Sequence, residues 1–293
     1  MTLTIPSGCK VNLLLNILGK RADGFHELET VMQPVALHDE LTFARGGSGL
    51  QLTCSNPALP VDSTNLVHRA ATAFLEAAHI ADGADGVSIH LAKNIPMAAG
   101  LGGGSGNAAT TLLGLNALFG KPLSPEQLFP IAARLGSDIP FFLQQQPALA
   151  LGRGEQVESL APFAALRGAW ILLIHPGFGI STPWAYQSLA KFSSALSGTP
   201  GRAQALVALL QTGDLGAAGA AFYNSLEAPA LHKHPILALY QEFLRANGAD
   251  AALMSGSGST TFALVRGESA AAVLCEKFLA KFGSANWTAI APL

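Results

Sequence analysis

Apolar and polar residues alternate along the first 45 positions in the manner of β-strands. Residues 10–18 read Lys-Val-Asn-Leu-Leu-Leu-Asn-Ile-Leu and predict a strand. One face of this strand carries Lys10, Asn12, Leu14 and Asn16. A polar turn with Asp-Gly at its tip predicts a hairpin, and two further strands are expected over 29–36 and 39–44. Because buried charges and amides need polar partners, the Lys10 face is either solvated or lines a site.

Helical signals begin after residue 62. A helix from Thr64 or Asn65 to Ala78 is expected with Ser63 as its cap, and a strand is expected over 87–91. Dense apolar positions between 108 and 119 predict a buried helix. Ser124-Pro-Glu-Gln has the pattern of a capping box with proline at the first helical position, and this helix should run to about residue 135.

The pattern starts afresh near residue 158. An apolar strand over 169–175 is followed by alanine-rich helical segments over 203–210 and 214–223 and by a helix over 236–246. Strands over 251–254 and 262–265, a helix over 269–282 and a short final strand complete the chain. This order predicts an α+β fold with an antiparallel sheet in a C-terminal domain over 159–293, preceded by an N-terminal domain over 1–158.

Composition excludes several classes of protein. The 293 residues carry a net charge of −2, so no basic field is present to attract nucleic acid or an anionic membrane. Three widely spaced cysteines argue against a disulfide framework or a zinc site, and favour a reducing compartment. No apolar run approaches the ~20 residues that a membrane helix needs. The expected location is the cytoplasm.

A glycine-rich loop over 96–106 holds five glycines between Gly100 and Gly106 and leads directly into the helix expected after Asn107. Backbone N–H groups at a helix N-terminus, together with the helix dipole, bind anions, most often phosphate. The Gly-Lys-Ser/Thr ending of a P-loop is missing, because no lysine stands between Lys93 and Lys121. The third glycine of the dinucleotide fingerprint is missing too. The loop therefore predicts a different kind of phosphate site.

Two further segments allow both a structural and a functional interpretation. Asp138 lies between a glycine turn and an apolar run, which favours a helix N-cap over a carboxylate presented at a cleft. Phe25 and His26 at the hairpin are typical of packing, whereas stacking on a planar heterocycle is the functional alternative.

Taken together, the motifs resemble those of the kinases grouped around galactokinase, homoserine kinase, mevalonate kinase and phosphomevalonate kinase. The glycine loop and the late Ser255-Gly-Ser-Gly turn carry the superfamily resemblance. A closer similarity, over residues 8–265, is to the 4-diphosphocytidyl-2-C-methyl-D-erythritol kinases of the non-mevalonate isoprenoid pathway. It depends on four segments: Lys10-Val-Asn-Leu-Leu-Leu, Gly19-Lys-Arg-Ala-Asp-Gly-Phe-His, Leu101-Gly-Gly-Gly-Ser and Gly136-Ser-Asp-Ile-Pro.

The resemblance implies ATP-dependent phosphorylation of the 2-hydroxyl of a cytidine-diphosphate substrate, with Mg²⁺, in a cleft between the two domains. By motif position Asp138 becomes the base and Lys10 the group that stabilises charge. Phosphoryl transfer mainly requires alignment and charge neutralisation, so these two side chains, 128 positions apart, are expected within salt-bridge range.

Other roles also follow from the resemblance. The ATP side is expected to comprise Asn65, Lys93, Pro96, Met97, Ala98, Ala99, Gly100, Leu101, Gly102, Gly103, Gly104, Ser105, Gly106 and Asn107. The substrate side is expected to comprise Asn12, Phe25, His26, Thr182 and Tyr186, with Phe25 and Tyr186 on the two faces of the cytosine and His26 at its edge. One departure stands out, because Gly106 replaces a serine common in the family; no protein ligand of Mg²⁺ is assigned.

Two alternatives stay open. One is another small-molecule kinase of the superfamily, of the homoserine or phosphomevalonate type, although those lack the Lys-Val-Asn strand and the Asp-Gly-Phe-His turn. The other is a non-catalytic nucleotide-binding relative, which loss of Lys10 or Asp138 would favour; both residues are present. A monomer or weak homodimer that binds a small molecule, and neither nucleic acid nor membrane, is expected.

Overall fold

The computed structural model describes residues 2–80 and 86–293. The chain divides into two compact units, and each unit is assembled from three segments. Unit 1 comprises Met1–Cys9, Leu37–Pro96 and Gly102–Gln145, and unit 2 comprises Lys10–Ala36, Met97–Leu101 and Gln146–Leu293. The domain boundary placed at residue 158 from the sequence stays a prediction.

Strands and helices follow one another along the described chain. The strands are β1 (Thr2–Lys20), β2 (His26–Arg45), β3 (Leu50–Cys54), β4 (Val87–Ala92), β5 (Ala148–Gly152), β6 (Gln156–Ser159), β7 (Ala169–His175), β8 (Tyr223–Asn224), β9 (Ala251–Met254), β10 (Thr261–Arg266) and β11 (Trp287–Pro292). The helices are α1 (Leu66–Ala77), α2 (Gly103–Leu118), α3 (Pro125–Leu135), α4 (Thr182–Ser188), α5 (Ser193–Leu196), α6 (Arg202–Thr212), α7 (Leu215–Ala220), α8 (Glu227–Lys233), α9 (Ile236–Ala246) and α10 (Glu268–Phe282).

Unit 1 packs helices on a sheet whose strand order is β3-β4-β2-β1. β4 pairs antiparallel with residues 40–45 of β2 and parallel with β3. The core between sheet and helices contains Phe43, Phe74, Leu91 and Leu112, all fully buried. Helix α2 is buried along most of its length, which agrees with the dense apolar run that predicted it.

Unit 2 contains the antiparallel sheet that the sequence predicted. Its strand order is β11-β7-β10-β9, and every neighbouring pair is antiparallel. The rest of the unit is built on β1 and β2, where β5 pairs antiparallel with β2 and the short β8 runs parallel to β1 at Leu14 and Leu15. Side chains from β7, β10 and α10, including Leu172, Ile174, Ala263 and Phe278, form its core.

Most predicted elements are confirmed, including the capping box at Ser124 and Gln127 that starts α3. The two strands expected over 29–36 and 39–44 are one continuous strand, because the exposed His38 interrupts the hydrophobic pattern without ending the extended backbone. Ser63 as the cap of α1 was wrong, since Asn65 is the N-cap and accepts from the Val67 N–H. The short 3₁₀ helix Pro140–Leu143 has Ile139 as its N-cap residue, so the cap interpretation of Asp138 was wrong as well.

Helix α2 approaches β2 closely at Gly114, and this contact can be tested. A Cβ at Gly114 would lie 2.6 Å from Cζ of the fully buried Phe43, whereas one at Gly104 in the same helix would meet Leu66 at 3.7 Å. We therefore expect Gly114→Ala to lower the free energy of unfolding by about 1–3 kcal/mol through overpacking.

The matched control, Gly104→Ala, should raise the free energy of unfolding by about 0.5–1 kcal/mol because alanine is the better helix former. Urea unfolding of both variants measures the difference. Equal stabilities of the two variants would contradict the close approach of α2 and β2.

Candidate functional site

A buried carboxylate in unit 1 bonds to both ends of the glycine-rich loop. Asp39 is fully buried, and its Oδ1 accepts from the backbone N–H groups of Asn94 (2.7 Å) and Ile95 (2.8 Å), just before the loop. Its Oδ2 accepts from Nδ2 of Asn107 (2.9 Å), in the first turns of α2 after the loop, and forms an ion pair with Lys93. Asp39 thus fixes the entry and the exit of the loop together.

Lys93 and Asn107 are part of the same buried network. The Lys93 ammonium is almost fully buried and also lies 3.4 Å from Oδ1 of Asn107. Asn107 in turn donates to Oγ of Ser7 (2.9 Å) on β1. Because its charge is balanced by Asp39, Lys93 differs from the free lysine of a P-loop.

The N-terminus of α2 presents its amide groups without a side-chain cap. The N-cap residue, Gly102, has a φ of 70° and no side chain, and the first turn carries no acidic residue. The first N–H groups of an α-helix have no acceptor within the helix, and the positive end of the dipole lies at the same place. This end of α2 is therefore suited to bind an anion such as phosphate.

Position 106, where the resemblance led us to expect a serine, has no room for a side chain. A Cβ at this position would collide with the backbone carbonyl oxygen of Gly8 on β1 and would lie 3.4 Å from Oγ of Ser7. The helix and the strand are in backbone contact here, so glycine at position 106 has a steric reason.

In unit 2 the loop residues 97–101 pack against a second glycine turn, Ser255–Thr260. The Ala99 carbonyl accepts from the Thr260 N–H (3.1 Å), and the Gly100 carbonyl accepts from Oγ of Ser255 (2.9 Å). Gly100 has a φ of +75°, and a Cβ on it would collide with the Ser255 carbonyl oxygen. The two segments can approach so closely because Gly100 has no side chain where it meets the Ser255 carbonyl oxygen.

Lys10 and Asn12 lie on β1 beside this contact and are buried, so the interpretation of their strand face as solvated was wrong. Lys10 is 3 % exposed; its backbone N–H donates to the Leu101 carbonyl (2.9 Å), and its ammonium donates to Oδ1 of Asn12 and to the Gly100 carbonyl (3.3 Å). Asn12 donates through Nδ2 to Oγ1 of Thr30 (2.8 Å). The ammonium is held in place by an amide and a carbonyl that are themselves fixed.

Two residues missed from the sequence, the buried Asn224 and the partly buried Glu227, support the Ser255–Thr260 turn. Asn224 donates through Nδ2 to the carbonyls of Met254 (2.8 Å) and Gly256 (2.7 Å). Oε1 of Glu227 accepts from the Met254 N–H (2.8 Å) and from Nε2 of Gln241 (2.6 Å). Burial raises the pKa of Glu227 above its usual value, and these hydrogen bonds offset only part of that effect.

The side chains expected on the substrate side lie in unit 2. Phe25 is 51 % exposed at the hairpin, and the rings of His26 and Tyr186 pack with centroids 5.1 Å apart. Burial, with a smaller effect of Lys20, lowers the pKa of His26, so its imidazole stays neutral near pH 7. Oγ1 of Thr182, the first residue of α4, is 2.9 Å from Oγ of Ser257.

The remaining predicted residues lie in unit 1. Asn65 caps α1, and its Nδ2 donates to the Pro60 carbonyl (2.7 Å). Asp138 is partly buried in the turn between α3 and the 3₁₀ helix, next to the fully buried Ile139.

Within residues 2–80 and 86–293, no group of three His, Cys, Asp or Glu side chains is placed to hold a metal ion. No helix in that part of the chain is long and apolar enough to span a membrane.

Both parts of the chain match models of one kinase family. Residues 65–146 match the GHMP kinases N terminal domain, and residues 205–284 match the GHMP kinases C terminal domain. A relative from Citrifermentans bemidjiense, named 4-diphosphocytidyl-2-C-methyl-D-erythritol kinase, is 40% identical over 92% of this chain and 91% of its own length. A relative of the same name from Pelotomaculum thermopropionicum is 41% identical over 90% of this chain and 89% of its own. The chain belongs to the GHMP kinases.

Solved structures agree with this membership. A crystal structure of 4-(cytidine 5'-diphospho)-2C-methyl-D-erythritol kinase is 34% identical, has a TM-score of 0.81, and matches 99% of this kinase and 100% of its own chain. Homoserine kinase from Cytophaga hutchinsonii has a TM-score of 0.75 at 20% identity, covering 100% of this chain and 95% of its own. The second likeness shows the shared fold alone.

The Asp39 network predicts a large effect of a small change. In Asp39→Asn, one carboxylate oxygen is replaced by an amide NH2 group, which cannot accept hydrogen bonds. The buried Lys93 ammonium also loses its counter-charge. We expect the free energy of unfolding to fall by about 3–5 kcal/mol, as is usual when one partner of a buried pair is removed. The KM for ATP should rise, because both ends of the loop lose a support.

Two controls accompany this measurement. Asp62→Asn changes an exposed carboxylate of the same unit that accepts from the N–H and the Oγ1 of the nearby Thr64, so the free energy of unfolding should change by less than about 0.5 kcal/mol. The double variant Asp39→Asn/Lys93→Met should be less destabilised than Asp39→Asn alone, because no unbalanced charge remains. Chemical denaturation measures the free energy of unfolding of all the variants. A value for Asp39→Asn equal to that of the wild type would contradict the role of the network.

Glu227 predicts a pH dependence of stability. Its pKa is raised in the folded protein, so folding favours the protonated form. Its contribution to stability is complete below the ordinary carboxyl pKa of 4.5 and is lost as the pH rises through the raised value. Glu227→Gln removes this term, and its stability relative to wild type should therefore increase from pH 5 to pH 8. Thermal unfolding across this range tests it; Glu242→Gln, at an exposed position on α9, is the control.

Proposed function

We propose that this kinase transfers the γ-phosphoryl group of ATP to the 2-hydroxyl of 4-diphosphocytidyl-2-C-methyl-D-erythritol, the compound in the names of its relatives. The observation that carries the proposal is the buried Lys10 ammonium, held by Asn12 and by the carbonyl of Gly100 in the glycine-rich loop. A positive charge fixed at this loop is what a reaction that moves a phosphoryl group requires.

The phosphates of ATP would bind to the loop over 96–106 and to the open N-terminus of α2. The uncapped amides after Gly102 fit this group, and their dipoles supply the attraction that a P-loop lysine supplies elsewhere. Mg²⁺ would accompany ATP and neutralise charge on its phosphates while keeping most of its water ligands. Lys93 and Asn107 would act on this side by holding the loop, and Asn65 by fixing the start of α1.

Asp138 would act as the general base of the transfer, and Lys10 would stabilise the negative charge. As the 2-hydroxyl oxygen attacks the γ-phosphorus, the bond from that phosphorus to the bridging oxygen breaks and ADP leaves. The Asp138 carboxylate would accept the proton of the hydroxyl group. The Lys10 ammonium would keep that carboxylate ionised and balance the charge on the transferred phosphoryl oxygens.

The cytosine would be recognised by the aromatic residues of unit 2. Phe25 offers an exposed ring face for stacking, and the neutral imidazole of His26 would hydrogen-bond the edge of the base. Tyr186, packed against His26, would form the opposite wall, with Asn12 and Thr182 as polar contacts. A small-molecule substrate, rather than a polymer, suits these groups.

The test is an assay that couples ADP release to a visible signal, with 4-diphosphocytidyl-2-C-methyl-D-erythritol as acceptor. Wild type should turn over, and Asp138→Asn should lower kcat by about 10²–10⁴-fold, the usual contribution of a general base. Asp214→Asn, at the exposed N-cap of α7, is the matched control and should retain wild-type kcat.

Different failures have different meanings. Robust turnover by Asp138→Asn would remove Asp138 from the base role and leave the substrate assignment intact. An inactive wild type that instead phosphorylates homoserine or phosphomevalonate would overturn the substrate assignment. Nucleotide binding without turnover of any of the three acceptors would favour a non-catalytic relative.

A further inference from the structure

Phe25 lies at the tip of a hairpin, and its aromatic ring is half exposed. Its backbone is nevertheless held by hydrogen bonds. Its N–H donates to Oδ1 of Asp23 (3.1 Å), and its carbonyl accepts from the Arg21 N–H (2.8 Å). Arg21 forms ion pairs with Asp23 and Glu27, which close the turn. The position of the Phe25 backbone is therefore fixed, whereas its side chain depends on other contacts.

The Phe25 ring has a cationic neighbour in Arg153. The guanidinium carbon of Arg153 lies 4.5 Å from the centroid of the Phe25 ring, which is the geometry of a cation–π interaction. Arg153 lies in the turn between β5 and β6. Its backbone N–H donates to Oε2 of Glu155 (2.7 Å), and its Nε is 3.7 Å from Oε1 of the same carboxylate. Both ends of the arginine are thus held by one partner.

A flat cation on one face of a ring leaves the opposite face for a flat ligand. We propose that Arg153 is a positioning residue that holds the Phe25 ring ready to stack on the nucleobase of the substrate, in the order Arg153, Phe25, base. Without Arg153 the ring would have to be ordered when the ligand binds, and that ordering weakens binding. The inference rests on the proposed function for the identity of the base.

The planar shape of the guanidinium matters in this arrangement. Arginine stacks on an aromatic face, whereas the ammonium of lysine is compact and strongly hydrated. Arg153→Lys should therefore recover only part of the effect, and Arg153→Ala should lose it. Arg153 would act on the ligand through Phe25 and not through a contact of its own with the diphosphate.

The experiment measures steady-state kinetics for both substrates. Arg153→Ala should raise the KM for the cytidylyl substrate about two- to fivefold, as expected for an exposed cation–π contact, with kcat and the KM for ATP unchanged. Arg202→Ala is the matched control, because its guanidinium lies 3.8 Å from the centroid of the Tyr223 ring, a contact of the same kind that does not involve Phe25. This control should leave all three constants at their wild-type values.

A double-mutant cycle separates action through the ring from direct contact. In the Phe25→Ala background, Arg153→Ala should have no further effect on the KM. An additional loss in that background would mean that Arg153 contacts the substrate itself and would overturn the proposal, as would an unchanged KM in an active Arg153→Ala. Calorimetric titration of the same variants with cytidine 5'-diphosphate gives the comparison independently of turnover. If the wild type is inactive but the calorimetric affinities for cytidine 5'-diphosphate still follow the cycle, the proposed reaction is contradicted and the role of Arg153 is supported.

Discussion

The buried carboxylate of Asp39 is bonded to backbone and side chains on both sides of the glycine-rich loop. A carboxylate without water needs several donors, and Asp39 has two amide N–H groups before the loop, an asparagine after it and a lysine ammonium. A loop with five glycines has high conformational entropy when free. Fixing its two ends to a single buried group reduces the number of loop conformations without capping the N–H groups at the start of α2.

Close backbone approach is the second constraint. At Gly100 the loop touches the Ser255–Thr260 turn, and at Gly106 helix α2 touches β1, each where a Cβ would collide with a carbonyl oxygen. Both contacts therefore require glycine, because a side chain at position 100 or 106 would collide with the facing carbonyl oxygen. Hydrogen bonds from Lys10, Ser255 and Thr260 then use the carbonyls that this approach brings within reach.

Patterns local in the sequence predicted most of the fold. The capping box at Ser124, the apolar run of β7 and the helix over 236–246 depend on neighbours within a few residues, and all three were confirmed. Motif similarity indicated the family and the loop. Asp39, Asn224 and Glu227 were missed because the partners that define their roles are 14 to 68 positions away, the longest separation being that between Asp39 and Asn107. An isolated polar residue also has no periodic signal. Asn65 as the helix cap was missed in favour of Ser63, which is an equally good cap by residue type.

The contact between Gly106 and the Gly8 carbonyl has a consequence for how such a chain can diverge. A serine at position 106 is a one-residue change in sequence, yet here it requires the backbone of β1 to move aside. Because every residue type at position 8 has this carbonyl, a hydroxyl at position 106 is expected only together with a different path of the strand backbone. The absence of one Cβ thus couples two backbone segments that are nearly a hundred residues apart in the sequence.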